Sequence, residues 1–403
     1  MNGRAELAEP APAVLRGVAG EGAQVRLDWA SGERNLLHAR WLRNACRCDA
    51  CGDTRPGLRW ITPADVPSDI RAAELALAEG GGRLEVTWAD GHRSVYEASW
   101  LAEAAYDDAG NRARRRLTPR TWGAGMERCL QTVEYGAAMT EDAALFEALR
   151  ALRDDGIVRL TDGPVEATGT AEIAERFGPV RTTSYGRVQD LVSKPNPKVA
   201  GETARAQVPH TDEPFRYSPP GFIFFHCVKS GAEGGGTSIM VDGFHVAERL
   251  RREAPEAFAL LSRRAVVHHR EHPGEVSFHA EGHAICLDRE GAVTGIRFND
   301  RSLAPPECPP EEMDALLDAL AQFVEQLRDP DNQLRILLRP GDVLVFDNQR
   351  ILHGRTAFDP NLAERHLRSC HVDRDAVHSR CRTLASRFAP GEADLVLPQG
   401  AIL

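Results

Sequence analysis

RPGDVLVFDNQRILHGR, residues 339–355, is the stretch from which the fold is read. Arg339-Pro340-Gly341-Asp342 has turn chemistry and Val343–Phe346 is a short apolar strand. Asp347-Asn348 breaks that strand before a second one that carries His353. Similar runs lie on both sides: GFIFFHCV from Gly221, TSIMV from Thr237, AVVHH from Ala265, AICLD from Ala284, GIRF from Gly295, RILL from Arg335 and RHLRSCHV from Arg365. One helical stretch, Glu311–Arg328, interrupts them. Before them come a helical pattern at Thr140–Asp154 with Thr140 as its cap, a strand at Gly156–Leu160 and a second helix at Thr170–Phe177. Many short strands punctuated by Gly and Pro predict a mainly β fold with α, either a β-barrel or a double-sheet jelly roll decorated by helices.

Further toward the N-terminus, AQVRLDW (23–29) and RLEVTW (83–88) alternate with period two. The second runs into an Asp90-Gly91 turn and a return strand at Ser94–Glu97, which is a hairpin signal. The expected organisation is a loose tail over 1–12, a small β-rich module over 13–106, a linker over 107–125 and a larger domain over 126–395. The basic run RARRR (112–116) reads as a solvated part of that linker. A length of 403 residues suits two or three domains. With 49 Lys+Arg against 59 Asp+Glu the net charge is −10, which argues against a nucleic-acid partner. The longest apolar run, around Phe222–Phe225, is far short of the roughly 20 residues a membrane span needs. Residues 1–20 hold acids and prolines without an apolar signal core, so the expectation is a cytoplasmic protein with no membrane partner.

Two constellations carry chemistry. His210-Thr211-Asp212 is an HxD pair, and His353 follows 143 positions later. At a strand end, alternation sets residues i and i+2 on one face. A distant strand's imidazole then completes two histidines and one carboxylate on one side of a metal, the arrangement of non-heme Fe(II) oxygenases, with positions left open for a keto acid and O₂. Arg365, twelve residues after His353, lies where a guanidinium reaches the far carboxylate of 2-oxoglutarate. The other constellation is in the cysteines. Three of nine, Cys46, Cys48 and Cys51, crowd into six residues, as soft metal ligands do in a reducing compartment; the scattered remainder read as buried hydrophobes.

Taken with HARWLRNACRCDAC, WADGHRSVYEASWL, PHTD followed by PPGF, and GGGTSIMVDGF, these blocks resemble the γ-butyrobetaine hydroxylase/trimethyllysine dioxygenase family of Fe(II)/2-oxoglutarate oxygenases, more distantly related to taurine dioxygenases. The resemblance runs from about Val14 to Cys381. It implies a double-stranded β-helix catalytic domain behind a small zinc-binding module, and a homodimer. His210, Asp212 and His353 become iron ligands, Arg365 the partner of 2-oxoglutarate, and Ser238, with Thr237 close behind, a hydroxyl near that co-substrate in a segment from Gly235. Ascorbate is implied as a supporting reductant. His92, in the WxxGH segment, becomes the fourth zinc ligand beside Cys46, Cys48 and Cys51, with His38 as its rival by proximity; a filled tetrahedral site is structural.

At the substrate end, Tyr185 stands at a position of the family's aromatic cage for a trimethylammonium group. The other cage positions fall on Gln189, Glu202, Glu213 and His371, while Phe215 and Tyr217 are substitutes close to the HTD motif. Glu202 and Glu213 suit an amine; Arg187, Lys194, Arg205 and Arg216 suit a carboxylate, phosphate or phosphonate. Asn299 matches a family position near the substrate. The expected substrate residues are therefore Tyr185, Asn299, Glu213 and His371. His268, His269, His272, His279 and His283 read as surface or core histidines. The implied reaction is hydroxylation of a small polar metabolite, closest to γ-butyrobetaine or trimethyllysine, with release of succinate and CO₂. The rivals are an oxygenase of secondary metabolism acting on a phosphorylated, phosphonate or amine substrate, and a zinc-dependent binding protein with a lapsed site.

Overall fold

The structure, a computed structural model, describes residues 13–53, 57–107, 117–166, 168–192, 203–230, 236–359, 365–392 and 395. The tail over 1–12, the RARRR run, Lys194, Glu202 and Gly235 lie outside the described residues. The chain divides into two compact units, residues 1–116 and 117–403.

The first unit holds two antiparallel meanders. One is β1 (Leu15–Glu21), β2 (Gln24–Trp29) and β3 (Arg34–His38), followed by α1 (Ala39–Asn44). The other is β4 (Ala72–Ala78), β5 (Arg83–Trp88) and β6 (Arg93–Glu97), followed by α2 (Ala98–Ala104). Alternation works as read: Val25, Leu27 and Trp29 of β2 and Leu84, Val86 and Trp88 of β5 point into one shared core. The turn between β5 and β6 needs a residue with positive φ, and Gly91 supplies it at 81°.

The second unit opens with β7 (Thr132–Glu134), α3 (Tyr135–Thr140), α4 (Asp142–Asp155), β8 (Ile157–Thr161), α5 (Gly169–Phe177), β9 (Val180–Arg181), β10 (Gln189–Val192) and β11 (Gln207–His210). Thr140 is not a cap; it ends α3 with its hydroxyl donated to Gly136 O, and Glu141 stands between the two helices. Next come β12 (Phe222–Lys229), β13 (Ser238–Asp242), α6 (Gly243–Glu253), α7 (Pro255–Arg263), β14 (Ala265–His272), β15 (Val276–His283), β16 (Ile285–Leu287) and β17 (Val293–Ile296). The chain finishes with α8 (Met313–Arg328), β18 (Gln333–Ile336), β19 (Val343–Asp347), β20 (Ile351–Arg355), β21 (His366–Val372) and α9 (Arg374–Phe388). The reading of a single helix beyond Phe222 missed α6, α7 and α9. Their charged faces dilute the apolar signal, and α9 has five arginines or histidines among its fifteen residues.

A seven-stranded sheet, in the order β10-β21-β12-β19-β8-β7 with β9 beside β21, faces a four-stranded sheet, β11-β20-β13-β18. This is the jelly roll. Phe222 and Phe224 of β12, with Val343 and Val345 of β19, pack under α4, α5 and α9. The alternate residues Ile223, Phe225, Leu344 and Phe346 pack toward Met240 and Ile351 of the other sheet. Both faces are covered, which is why these strands read as unbroken apolar runs. The 339–355 stretch is the corner between the sheets: β19 belongs to one and β20 to the other. Arg350, 2% exposed, pins that corner through a 2.8 Å ion pair with Asp242 and a bond to Asp154 O. Among the described residues no helix is long and apolar enough to cross a membrane.

Candidate active site

Antiparallel pairing of β11 with β20 sets His210 directly opposite His353. Their ring centroids are 4.4 Å apart, and both rings are buried. β11 ends at His210, so Asp212 joins them from the turn beyond rather than by strand alternation. Its Oδ1 lies 3.5 Å from His210 Nε2 and 3.6 Å from His353 Nε2. That turn is clamped: Asn348 Oδ1 accepts the Asp212 amide at 2.7 Å, and Asn348 Nδ2 donates to Asp212 O at 3.1 Å. In the sequence Asn348 only follows the end of a strand; position alone does not show its amide reaching back 136 residues.

The electrostatics suit a divalent cation. His210 Nδ1 donates to Val208 O at 2.8 Å, which leaves the Nε2 lone pair facing the cluster. Burial, then the neighbouring His353, pushes His210 down to about 4, so it is neutral at ordinary pH. Burial opposes ionisation of Asp212, yet His353 and His210 hold it well below the usual carboxylate range. Phe225 and Phe346 pack on His353 with centroids at 5.3 and 5.1 Å and fix its orientation.

These donors open into a cavity. Ser238, Arg355 and Arg365 line it, and Thr237 stands just outside, its amide bonded to Thr356 Oγ1 at 3.1 Å. Arg365 is half-buried with no acid paired to it among the described residues, and desolvation lowers its pKa to about 10. Gly236 lets it lie close: an added Cβ there would sit 3.0 Å from Arg365 Cδ, at a φ of 77°. Arg355, two residues after His353 and not singled out from sequence, stands near it; both guanidiniums lie over Phe358, at 5.0 and 6.0 Å. A half-buried guanidinium with no acid paired to it among the described residues, beside a three-donor cluster, fits a dicarboxylate that bridges the two.

Tyr185, Glu213, Asn299 and His371 line the same cavity. Asn299 is already committed: Oδ1 accepts from the Arg301 amide and Nδ2 donates to Thr211 O at 3.4 Å. Glu213, in the left-handed region at φ 51°, is ion-paired with Arg216 and therefore not available to an amine. His371 Nε2 is buried without a partner. Phe215 lines the cavity, whereas Tyr217 is 85% exposed and does not. The anion-binding candidates fare differently. Arg187 pairs with Glu175, Arg216 lies 4.3 Å over Phe278, and Arg205 does not line the cavity. Arg270 and Arg301 line it instead.

In the first unit, His92 Nε2 lies 3.3 Å from Cys46 Sγ and 3.5 Å from both Cys48 and Cys51 Sγ. These match the edges, about 3.6 Å, of a tetrahedron built on ordinary Zn–S and Zn–N bonds. His38 is elsewhere, its Nδ1 accepting from the Arg40 amide. Arg43 Nη1 donates to Cys51 Sγ at 3.4 Å, and its Nε meets Asp90 at 3.1 Å.

A jelly roll with two imidazoles, one carboxylate and a half-buried arginine around one cavity defines an iron- and 2-oxoglutarate-dependent dioxygenase. The chain belongs to the "Taurine catabolism dioxygenase TauD, TfdA family", which matches residues 113–371, while residues 18–102 match "Gamma-butyrobetaine hydroxylase-like, N-terminal". It is 35% identical over 362 residues to the gamma-butyrobetaine dioxygenase of Pseudomonas sp. (strain AK-1), covering 89% of this chain and 93% of that one. Identity to the Homo sapiens gamma-butyrobetaine dioxygenase is 31% over 90% of this chain and 95% of that one. The mitochondrial trimethyllysine dioxygenase of Gallus gallus is 31% identical over 85% of this chain and 82% of its own length.

Proposed function

We propose that the enzyme hydroxylates a C–H bond of a small polar metabolite, with Fe(II) on His210, Asp212 and His353 and 2-oxoglutarate anchored by Arg365. The observation that carries this is the convergence of three ligand atoms within 4.8 Å beside a half-buried guanidinium that pairs with no acid among the described residues. When bound, iron with the keto acid and O₂ supplies the oxidation: 2-oxoglutarate is decarboxylated to succinate and one oxygen atom enters the substrate. The chain's own part is positioning. His210 presents a neutral Nε2 atom, His353 faces it from the paired strand, Asp212 contributes the charge, and Asn348 holds the turn that aims it. Arg365 and Ser238 orient the co-substrate, and Phe225 and Phe346 keep water from the back of His353.

The relatives named for γ-butyrobetaine make it the first substrate to try. The second reading, a phosphorylated, phosphonate or amine substrate, is favoured by Gln189 and His371, which stand at cage positions without an aromatic ring. Cys46, Cys48, Cys51 and His92 would hold structural zinc, and a reducing cytoplasm suits nine free thiols. A homodimer, as the family resemblance implies, belongs to the same reading. The test is succinate release from 2-oxoglutarate by purified protein with Fe(II), O₂ and a panel of betaines, amines and phosphorylated metabolites. Substrate-stimulated release supports the reading; no Fe(II) binding and no release would refute it.

A further inference from the structure

Histidines crowd the ribbon of β14 and β15, and neither the iron cluster nor the cysteine loop uses them. The two strands run antiparallel in an unbroken register from Ala265 opposite His283 to His272 opposite Val276. His268 is buried, but the same register sets His269 directly opposite His279, with ring centroids 6.0 Å apart and planes tilted by 51°. Alternation puts Glu271, two residues past His269, on the same face. Its Oε2 lies 3.9 Å from His269 Nε2. Glu281, two residues past His279, shares that face and adds negative charge to it. The face is open to solvent: the His269 side chain is 39% exposed and that of Glu271 56%, and His279 and Glu281 are exposed as well. The ribbon's arginine, Arg270, takes the other face.

The catalytic cluster is built in the same way. There, too, two histidines oppose one another across an antiparallel strand pair, and a carboxylate follows one of them two residues on. His269, Glu271 and His279 repeat the donor types and the spacing of His210, Asp212 and His353. The setting differs, since the catalytic rings are buried at 4.4 Å whereas these stand wider at the surface. Two imidazoles bonded to one ion at about 2.0–2.1 Å hold their ring centres roughly 5 Å apart. Exposed rings turn inward by that difference without displacing the core. Imidazole combined with carboxylate suits a transition metal such as zinc better than calcium or magnesium.

The inner face of the ribbon shows what such an ion would steady. Phe278, opposite Arg270, stacks on the cavity-lining Phe215 at 5.7 Å, and Arg270 lines the cavity itself. The ribbon is thus part of the cavity wall. A two-stranded ribbon is marginally stable by itself, so an ion bridging its strands would fasten that wall from outside.

We propose that His269, Glu271 and His279 form a surface site for a divalent transition-metal ion, with Zn(II) as the probe, that cross-links β14 to β15. The site is separate from the iron cluster and from the cysteine loop. The test is calorimetric titration of Zn(II) into the full chain, its cysteine site filled with zinc and its iron cluster loaded with Fe(II) and 2-oxoglutarate under nitrogen. Iron is assayed afterwards, so that zinc taken up in exchange for Fe(II) is subtracted. The wild type should take up one further Zn(II). His269→Ala and His279→Ala should each weaken that uptake at least tenfold, since even outer-shell losses typically cost about 10- to 100-fold. Glu271→Gln should weaken it by less. Hydrogen exchange of the amides over 265–283 should slow on adding Zn(II) to the wild type and stay unchanged in His279→Ala. Unaltered melting of the variants before zinc is added excludes misfolding. No further Zn(II) in the wild type, wild-type affinity in any of the three variants, or uptake without slowed exchange in the ribbon would overturn the proposal.

Discussion

The two donor clusters answer different needs. In the first unit, three sulfurs come from one six-residue loop and a hairpin brings His92 to them, so four donors surround one point. In the second unit three donors meet among the described residues, from two strands and a turn, and the remaining side faces a cavity. The first arrangement is closed and soft; a metal there has no position left for a reactant and acts as a cross-link for a small unit. The second is open and built of imidazole and carboxylate. What separates them is the missing fourth protein ligand, and that gap is what makes chemistry possible.

The largest test of this contrast is to remove one donor from each. Asp212→Ala should abolish substrate-stimulated succinate release and Fe(II) binding while the melting of both units stays near wild type. Cys46→Ser should do the reverse: zinc is lost by elemental analysis and the first unit unfolds, because metal binding there supplies folding free energy. Fe(II) titration of that variant should still find the catalytic cluster intact. Loss of iron binding in Cys46→Ser, or normal turnover in Asp212→Ala, would erase the distinction. A smaller effect is expected at the co-substrate. Arg365→Met should raise the KM for 2-oxoglutarate roughly 10- to 100-fold, the loss of one charge-assisted pair, without loss of zinc.

Legibility in the sequence differed between the clusters for a physical reason. Cys46, Cys48 and Cys51 are neighbours along the chain, so their spacing shows the site directly. His210 and His353 meet only through the register of β11 on β20, so single residues said little until the RPGD turn, the strand and the HGR segment were taken together. Asp212 was placed by strand alternation, but a turn locked by Asn348 delivers it. The apolar runs of β12 and β19 were plain because both faces are buried, whereas α6, α7 and α9 pass as loops between strands. The substrate end was least legible. Arg270 and Arg301 occupy ordinary strand and turn positions, and nothing in their spacing shows that both line the cavity.

Asn348 gives a finer probe of the catalytic cluster. Asn348→Ala removes the clamp and not a ligand, and losses of this kind typically cost about 10- to 100-fold in metal affinity or activity. Turnover should fall within that range and saturating Fe(II) should recover part of it, a rescue that Asp212→Ala cannot show.

The smallest effect separates the two units by pH. His268 is fully buried on β14, with Nδ1 3.0 Å from Ser302 Oγ and Nε2 without a partner. Burial, reinforced by Arg297, pushes it down to about 4. An unfolded histidine takes a proton near pH 6.5, whereas this one does not until about 4. The unfolded chain therefore binds the extra proton between those values. The associated stability is complete above pH 6.5 and drains away as pH falls toward 4, at up to about 1.4 kcal/mol per pH unit. His38, on the first unit, is exposed and caps α1. Denaturant unfolding of the zinc- and iron-loaded protein at pH 7 and 5.5 should thus show the second unit weakening as the pH falls. His268→Leu should lower stability at both values, since the bond to Ser302 is lost, and should also flatten the difference between them. An offset with an unchanged slope would show that the proton is taken up elsewhere.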